Sequence, residues 1–192
     1  MEAFILYFKM GLNHVLDFKA YDHILFLIVL AVVFSFNQWK KAILLITLFT
    51  LGHSLTLGLA AYGVVNFDIN LIEFLIPVTI FITGATNLFR TGKPNQKNSI
   101  NLVFALFFGL IHGLGFSNYF RMMIGKSEDK LMPLLEFALG IEAAQIIIVF
   151  AILVIGALLQ SVLKVSKRDW VLVTSSIVIG FSIQMILERY PW

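Results

Sequence analysis

Long apolar stretches alternate with short polar breaks along the whole chain. The clearest, Ala42 to Val65, contains no Asp, Glu, Lys or Arg. At 1.5 Å per residue, a run of that length crosses a hydrocarbon core of about 30 Å as one helix. The same pattern predicts spans at about Tyr21–Phe36, Ala42–Val65, Asn70–Phe89, Ile100–Phe120, Pro133–Leu163 and Trp170–Leu187. The segment from Arg90 to Lys97, with Gly92 and Pro94, reads as a loop, and Arg121 to Lys130 as a charged loop. Met1 to Leu16 is interrupted by Glu2, Lys9, Asn13 and His14 and is too short to span. It reads as an amphipathic segment at the interface, or a helix across the mouth of the bundle. The expected fold is all-α: a polytopic membrane helical bundle of six transmembrane helices plus a short N-terminal interfacial segment. It forms a single transmembrane domain over residues 1–192.

Composition agrees with the pattern. Hydrophobic residues make up 59% and charged residues 13%, with a mean hydropathy of +0.92, which excludes a soluble domain. The absence of cysteine excludes disulfides, thiolate metal sites and cysteine nucleophiles. A net charge of +3 is spread over short loops, so no nucleic-acid partner is expected. The N-terminus lacks a basic region followed by a small-residue cleavage site, so no cleavable signal peptide is expected. Lys40, Lys41, Arg90, Lys93, Lys97, Lys164, Lys167 and Arg168 fall on one side of the six-span arrangement, against Asp169 alone. The positive-inside rule makes that side cytoplasmic, with both termini outside a bacterial cytoplasmic membrane. Trp39, Trp170 and Trp192 lie at predicted helix ends, where aromatic belts form.

The candidate chemistry lies inside the apolar runs. His53 is near the bilayer midplane, with Thr50 and Thr56 three residues to either side. A neutral imidazole carries a donor and an acceptor that lipid cannot satisfy, so His53 faces other helices. Thr50 or a backbone carbonyl would satisfy it as a structural residue; a metal would use it as a ligand. Counted from the outer helix ends, His112 and Glu142 lie roughly 13 Å deep and His53 roughly 18 Å. His14, Asp22 and His23 lie at the outer edge. All four histidines therefore fall in one half of the membrane. Gly109, His112, Gly113 and Phe116 form one helix stripe, and Ala138, Glu142 and Gln145 another. Gly140 with Ala144, and Ser176 with Gly180, offer small-residue packing contacts.

An unpaired carboxylate at the depth of Glu142 costs several kcal/mol, and no Lys or Arg is expected at that level. Imidazoles with one or two carboxylates and no sulfur suit Ni²⁺, Co²⁺ or Zn²⁺. The candidate metal ligands are His14, Asp22, His23, His53, His112 and Glu142. Asp22 and His23 point about 100° apart on a helix, so one of them suits a supporting role behind a ligand. Asp17, Glu73 and Glu136 read as solvated rim charges. Three functions remain open: a divalent-cation permease, a membrane-embedded zinc hydrolase with Glu142 as general base, or a metal-stabilised assembly factor without catalysis.

The chain resembles the HupE/UreJ family of small membrane proteins on four blocks in order. These are His14 followed by Tyr21-Asp22-His23-Ile24-Leu25-Phe26-Leu27, then Phe49-Thr50-Leu51-Gly52-His53-Ser54-Leu55-Thr56-Leu57. Gly109-Leu110-Ile111-His112-Gly113-Leu114-Gly115-Phe116 and Leu139-Gly140-Ile141-Glu142-Ala143-Ala144-Gln145 complete the set. The resemblance implies a metal site and nickel supply to hydrogenase or urease, and favours nickel or cobalt as the ion. Seven residues separate His14 from Asp22, where the family's nickel permeases usually have five. Phe116 and Tyr119 stand in the region where those permeases carry a His and a Glu, so the chain resembles a second branch of the family.

Overall fold

In a computed structural model, residues 2–17, 21–90, 99–124 and 130–191 are described, with the side chains of 99–101 excepted. Gly92, Lys93, Pro94, Lys97, Glu128, Asp129 and Trp192, which entered the loop, charge and belt expectations, lie outside the described residues. The described residues form helices α1 (Glu2–Leu16), α2 (Asp22–Ala31), α3 (Trp39–Ala61) and α4 (Ile69–Arg90). These are followed by α5 (Ser99–Gly115), α6 (Ser117–Ile124), α7 (Leu131–Ser161) and α8 (Lys167–Glu188). The all-helical membrane class stands.

Six spans are not confirmed among the described residues. Among the described residues, four helices are long and apolar enough to cross a membrane: Phe36–Ala61 (a 3₁₀ turn continuous with α3), α4, α7 and α8. A fifth exists if α5 and α6, bent by 54°, count together as one span. The expected first span is only the 10-residue α2, about 15 Å long and half a hydrocarbon core. It stops because the backbone turns through Val32 to Phe34, after which Ser35 and Gln38 form a capping box that starts the next helix. The expected straight helix through His112 breaks at Phe116. The Ser117 hydroxyl donates to the Leu114 carbonyl (2.7 Å) and α6 departs at a new angle.

Close helix approach explains how the bundle holds. A Cβ at Gly52 would meet the Leu106 carbonyl oxygen, at Gly109 that of Phe49, and at Gly113 that of His53. α3 and α5 are therefore in backbone contact along one seam, reinforced where the Thr56 hydroxyl donates to the Leu110 carbonyl (2.8 Å). Small residues supply this proximity in membranes, where apolar burial alone does not drive helices together. Gly11 and Gly140 bring α1 against α7 in the same way: Gly11 faces Phe137 and Ile141, and Gly140 faces Phe8 and Leu12. α1 is thus packed onto the bundle rather than lying over its mouth. The expected contact at Ser176 and Gly180 does not form; both are exposed, and nothing lies within 4 Å of a Cβ at Gly180. α8 instead packs through Ser175 and Ile179 against Gly84 of α4.

α2 occupies the centre, with eight of its ten residues buried. Its inner end is tied by Asn87 of α4, whose Nδ2 donates to the Val29 carbonyl (2.8 Å) and lies 3.2 Å from Ser175 Oγ. Asn87→Leu is expected to cost about 1 kcal/mol, in the range of interhelical hydrogen bonds in membranes. That is a loss of about 2–4 °C in thermal midpoint. An unchanged midpoint in detergent would remove Asn87 from the tie.

Candidate metal centre

Four helices deliver the four histidines to one place. His14 closes α1, His23 opens α2, His53 sits mid-way along α3, and His112 lies near the end of α5. The His14 and His23 rings are 4.5 Å apart, His14 and His53 5.8 Å, and His23 and His53 6.3 Å. His112 joins through His23, at 5.6 Å. One ring nitrogen from each of His14, His23 and His53 lies within 4.8 Å of the others. Ligand nitrogens about 2.1 Å from a tetrahedral ion sit roughly 3.4 Å apart, so modest side-chain rotations close the set around an ion.

The nitrogens are oriented for that use. His23 Nδ1 donates to Asp22 Oδ1 (2.9 Å), which also accepts the His23 backbone N–H (2.9 Å). His112 Nδ1 donates to the Phe108 carbonyl (2.8 Å), one turn back on the same helix. In each ring the Nδ1 proton is fixed, which leaves a lone pair on Nε2. Such supporting bonds are the usual company of metal-ligating histidines. Nε2 of His14, His23 and His112 and both ring nitrogens of His53 are buried, with no hydrogen-bonding partner among the described residues. Thr50 and Thr56 do not satisfy His53: Thr50 turns to Glu142 and Thr56 to Leu110. Five buried polar atoms in one cluster are too many for an ordinary core, where such groups are bonded. The donor set is neutral, nitrogen-rich and free of sulfur, and it fits a borderline divalent ion.

Aromatic rings enclose the cluster. Phe26 and Phe49 flank His112 at 5.2 and 5.0 Å, and Phe116 lies 4.0 Å from His14, stacked on Phe137. A cleft of about 220 Å³, lined by His14, Asp22, His23, Glu73, His112 and Arg189 among others, leads from the cluster past the start of α2 and the end of α8.

The two carboxylates differ in their relation to the cluster: Asp22 touches it through His23, and Glu142 stands apart. Asp22 supports His23 through Oδ1, and its Oδ2 accepts from Arg189 Nη1 (3.2 Å). Glu142 is bound across the α3–α7 contact: Thr47 donates to Oε1 (2.6 Å) and Thr50 to Oε2 (2.5 Å). Thr50 also lies 2.9 Å from Gln145 Oε1. Glu142 is absent from the group of close ligand atoms. Its partners are thus hydroxyls one turn and more from His53 along α3. Sequence reasoning passed over Arg189 and Thr47. Asp22 in a buried helix start called for a cation from the same side, and Arg189 follows the last predicted span.

The profile of the HupE / UreJ protein family matches residues 1–189 of the chain. No curated protein and no solved structure matches it.

Proposed function

The chain belongs to the HupE/UreJ family, and from that premise we propose that it is a membrane permease for a divalent transition-metal ion, nickel or cobalt first. His14, His23, His53 and His112 hold the ion, Asp22 and the Phe108 carbonyl orient two of those rings, and Glu142 lies beyond the cluster along α3. The observation that carries this reading is the convergence of four imidazoles whose buried Nε2 atoms no described protein group satisfies. We place the cleft on the outer side of the membrane, following the distribution of Lys and Arg. An ion enters past Glu73, exchanges water for imidazole, and leaves inward after the aromatic floor of Phe26 and Phe49 moves. With the interior at −100 mV, inward passage of a dication gains about 4.6 kcal/mol. The resemblance favours nickel or cobalt, and the donor set accepts zinc as well.

A zinc hydrolase is the second reading. The cleft beside three clustered histidines favours it, because catalytic zinc sites keep a position open to water. Its general base is the weak point, since Glu142 is engaged with Thr47 and Thr50. Proteoliposomes under an inside-negative potential separate the two. The permease is expected to accumulate Ni²⁺ or Co²⁺ in proportion to the potential. Metal-loaded protein that moves no ion would overturn the permease in favour of the enzyme.

A further inference from the structure

The metal cluster has a charged neighbour that no ligand role explains. Arg189 follows the last residue of α8 and lines the same cleft as His14, His23 and His112. Its Nη1 donates to Asp22 Oδ2 through one contact of 3.2 Å, with no second bond to make the pair bidentate. The Arg189 side chain is 28% exposed and that of Asp22 only 9%. Turning Arg189 out to water is therefore cheap, whereas leaving Asp22 buried without a cation is costly.

Charge accounting gives this pair a function. The four imidazoles are neutral when they act as ligands. Asp22 contributes −1 and Arg189 +1, so the pair beside the histidines sums to zero, and the −1 of Glu73, which also lines the cleft, is exposed to solvent at its rim. A bare dication gains little from a neutral site of low dielectric and is repelled by a guanidinium beside it. With Arg189 turned to solvent, the same site carries −1, delivered to the ion through the Asp22–His23 hydrogen bond. We propose that Arg189 is a resident counter-cation that the metal displaces: it neutralises Asp22 when no metal is bound, yields to the arriving ion, and by returning promotes release. The proposal rests on the metal reading of the histidines and adds competition between an internal and an external cation for Asp22.

The test is metal binding to the full chain, purified without a polyhistidine tag, by titration calorimetry with Ni²⁺, Co²⁺ and Zn²⁺. Arg189→Gln is expected to tighten binding on the order of tenfold, since each 1.4 kcal/mol is a factor of ten, and to slow release to a chelator in stopped-flow. Arg189→Lys keeps the charge and is expected to stay near the wild type. Asp22→Asn is expected to weaken binding, and in that background Arg189→Gln should no longer tighten it, which makes the pair a double-mutant cycle. Unchanged binding in Arg189→Gln would overturn the proposal, and so would weakened binding, which would make Arg189 a structural prop or an anion holder. If Arg189→Gln fails to fold, Arg189→Met with the same titration decides. Wild-type protein that binds none of the three ions would remove the metal reading itself, and this proposal with it.

Discussion

Protein carrying His23→Ala together with His53→Ala is expected to retain no Ni²⁺, Co²⁺ or Zn²⁺ above background after dialysis, where the wild type keeps about one ion per chain. Elemental analysis of tag-free protein checks it. The two changes remove two of the three nitrogens that lie closest together. His14 and His112 alone leave a two-coordinate site, short of the four ligands that N/O/S sites for such ions use. A smaller loss is expected for Asp22→Asn. An amide oxygen still accepts the His23 Nδ1 proton but carries no charge, and supporting partners of this kind are worth roughly 10–100-fold in affinity. The ordering is specific to the geometry: ligand loss abolishes binding, loss of the support weakens it. Full occupancy in the double variant, with the protein monodisperse, would return the histidines to a structural role.

What the sequence made legible follows from the physics of each signal. Hydropathy finds helices that are long and apolar, and it found α3, α4, α7 and α8. It cannot find where an apolar helix stops when the residues beyond are equally apolar. Val32, Val33 and Phe34 read as a continuation of α2, yet the backbone turns there. The bend at Phe116 escaped for the same reason, although Gly113 and Gly115 in the preceding turn weaken the helix locally. The histidine convergence was legible because buried imidazoles must meet polar partners, and depth counting put all four in one half. Depth counting says nothing about which face a residue takes around the helix axis. Glu142 was therefore expected beside His53 and His112, but it meets Thr47 and Thr50. Supporting bonds to backbone, such as His112 to Phe108, leave no mark in side-chain composition.

Gly113→Val is expected to prevent the bundle from assembling, because the position of His53 depends on a contact that only glycine permits. A Cβ on residue 113 would lie against the His53 carbonyl oxygen and the Thr56 hydroxyl, and backbone cannot swing aside as a flexible side chain can. α3 and α5 would have to separate, opening the seam that Gly52 and Gly109 also require. Overpacking of this kind costs about 3 kcal/mol or more, and in a membrane no gain in apolar burial offsets it. The separation also breaks the hydrogen bond from Thr56 to Leu110 and carries His112, the neighbour of Gly113, away from His23. The expected result is aggregated protein in size-exclusion chromatography, or a folded fraction with a depressed thermal midpoint and no bound metal. Gly180→Ala is the control: nothing lies within 4 Å of its added carbon, so elution and metal content should stay at wild-type values. A monodisperse, metal-loaded Gly113→Val protein would show that the α3–α5 seam is wider than described and that His53 does not depend on it.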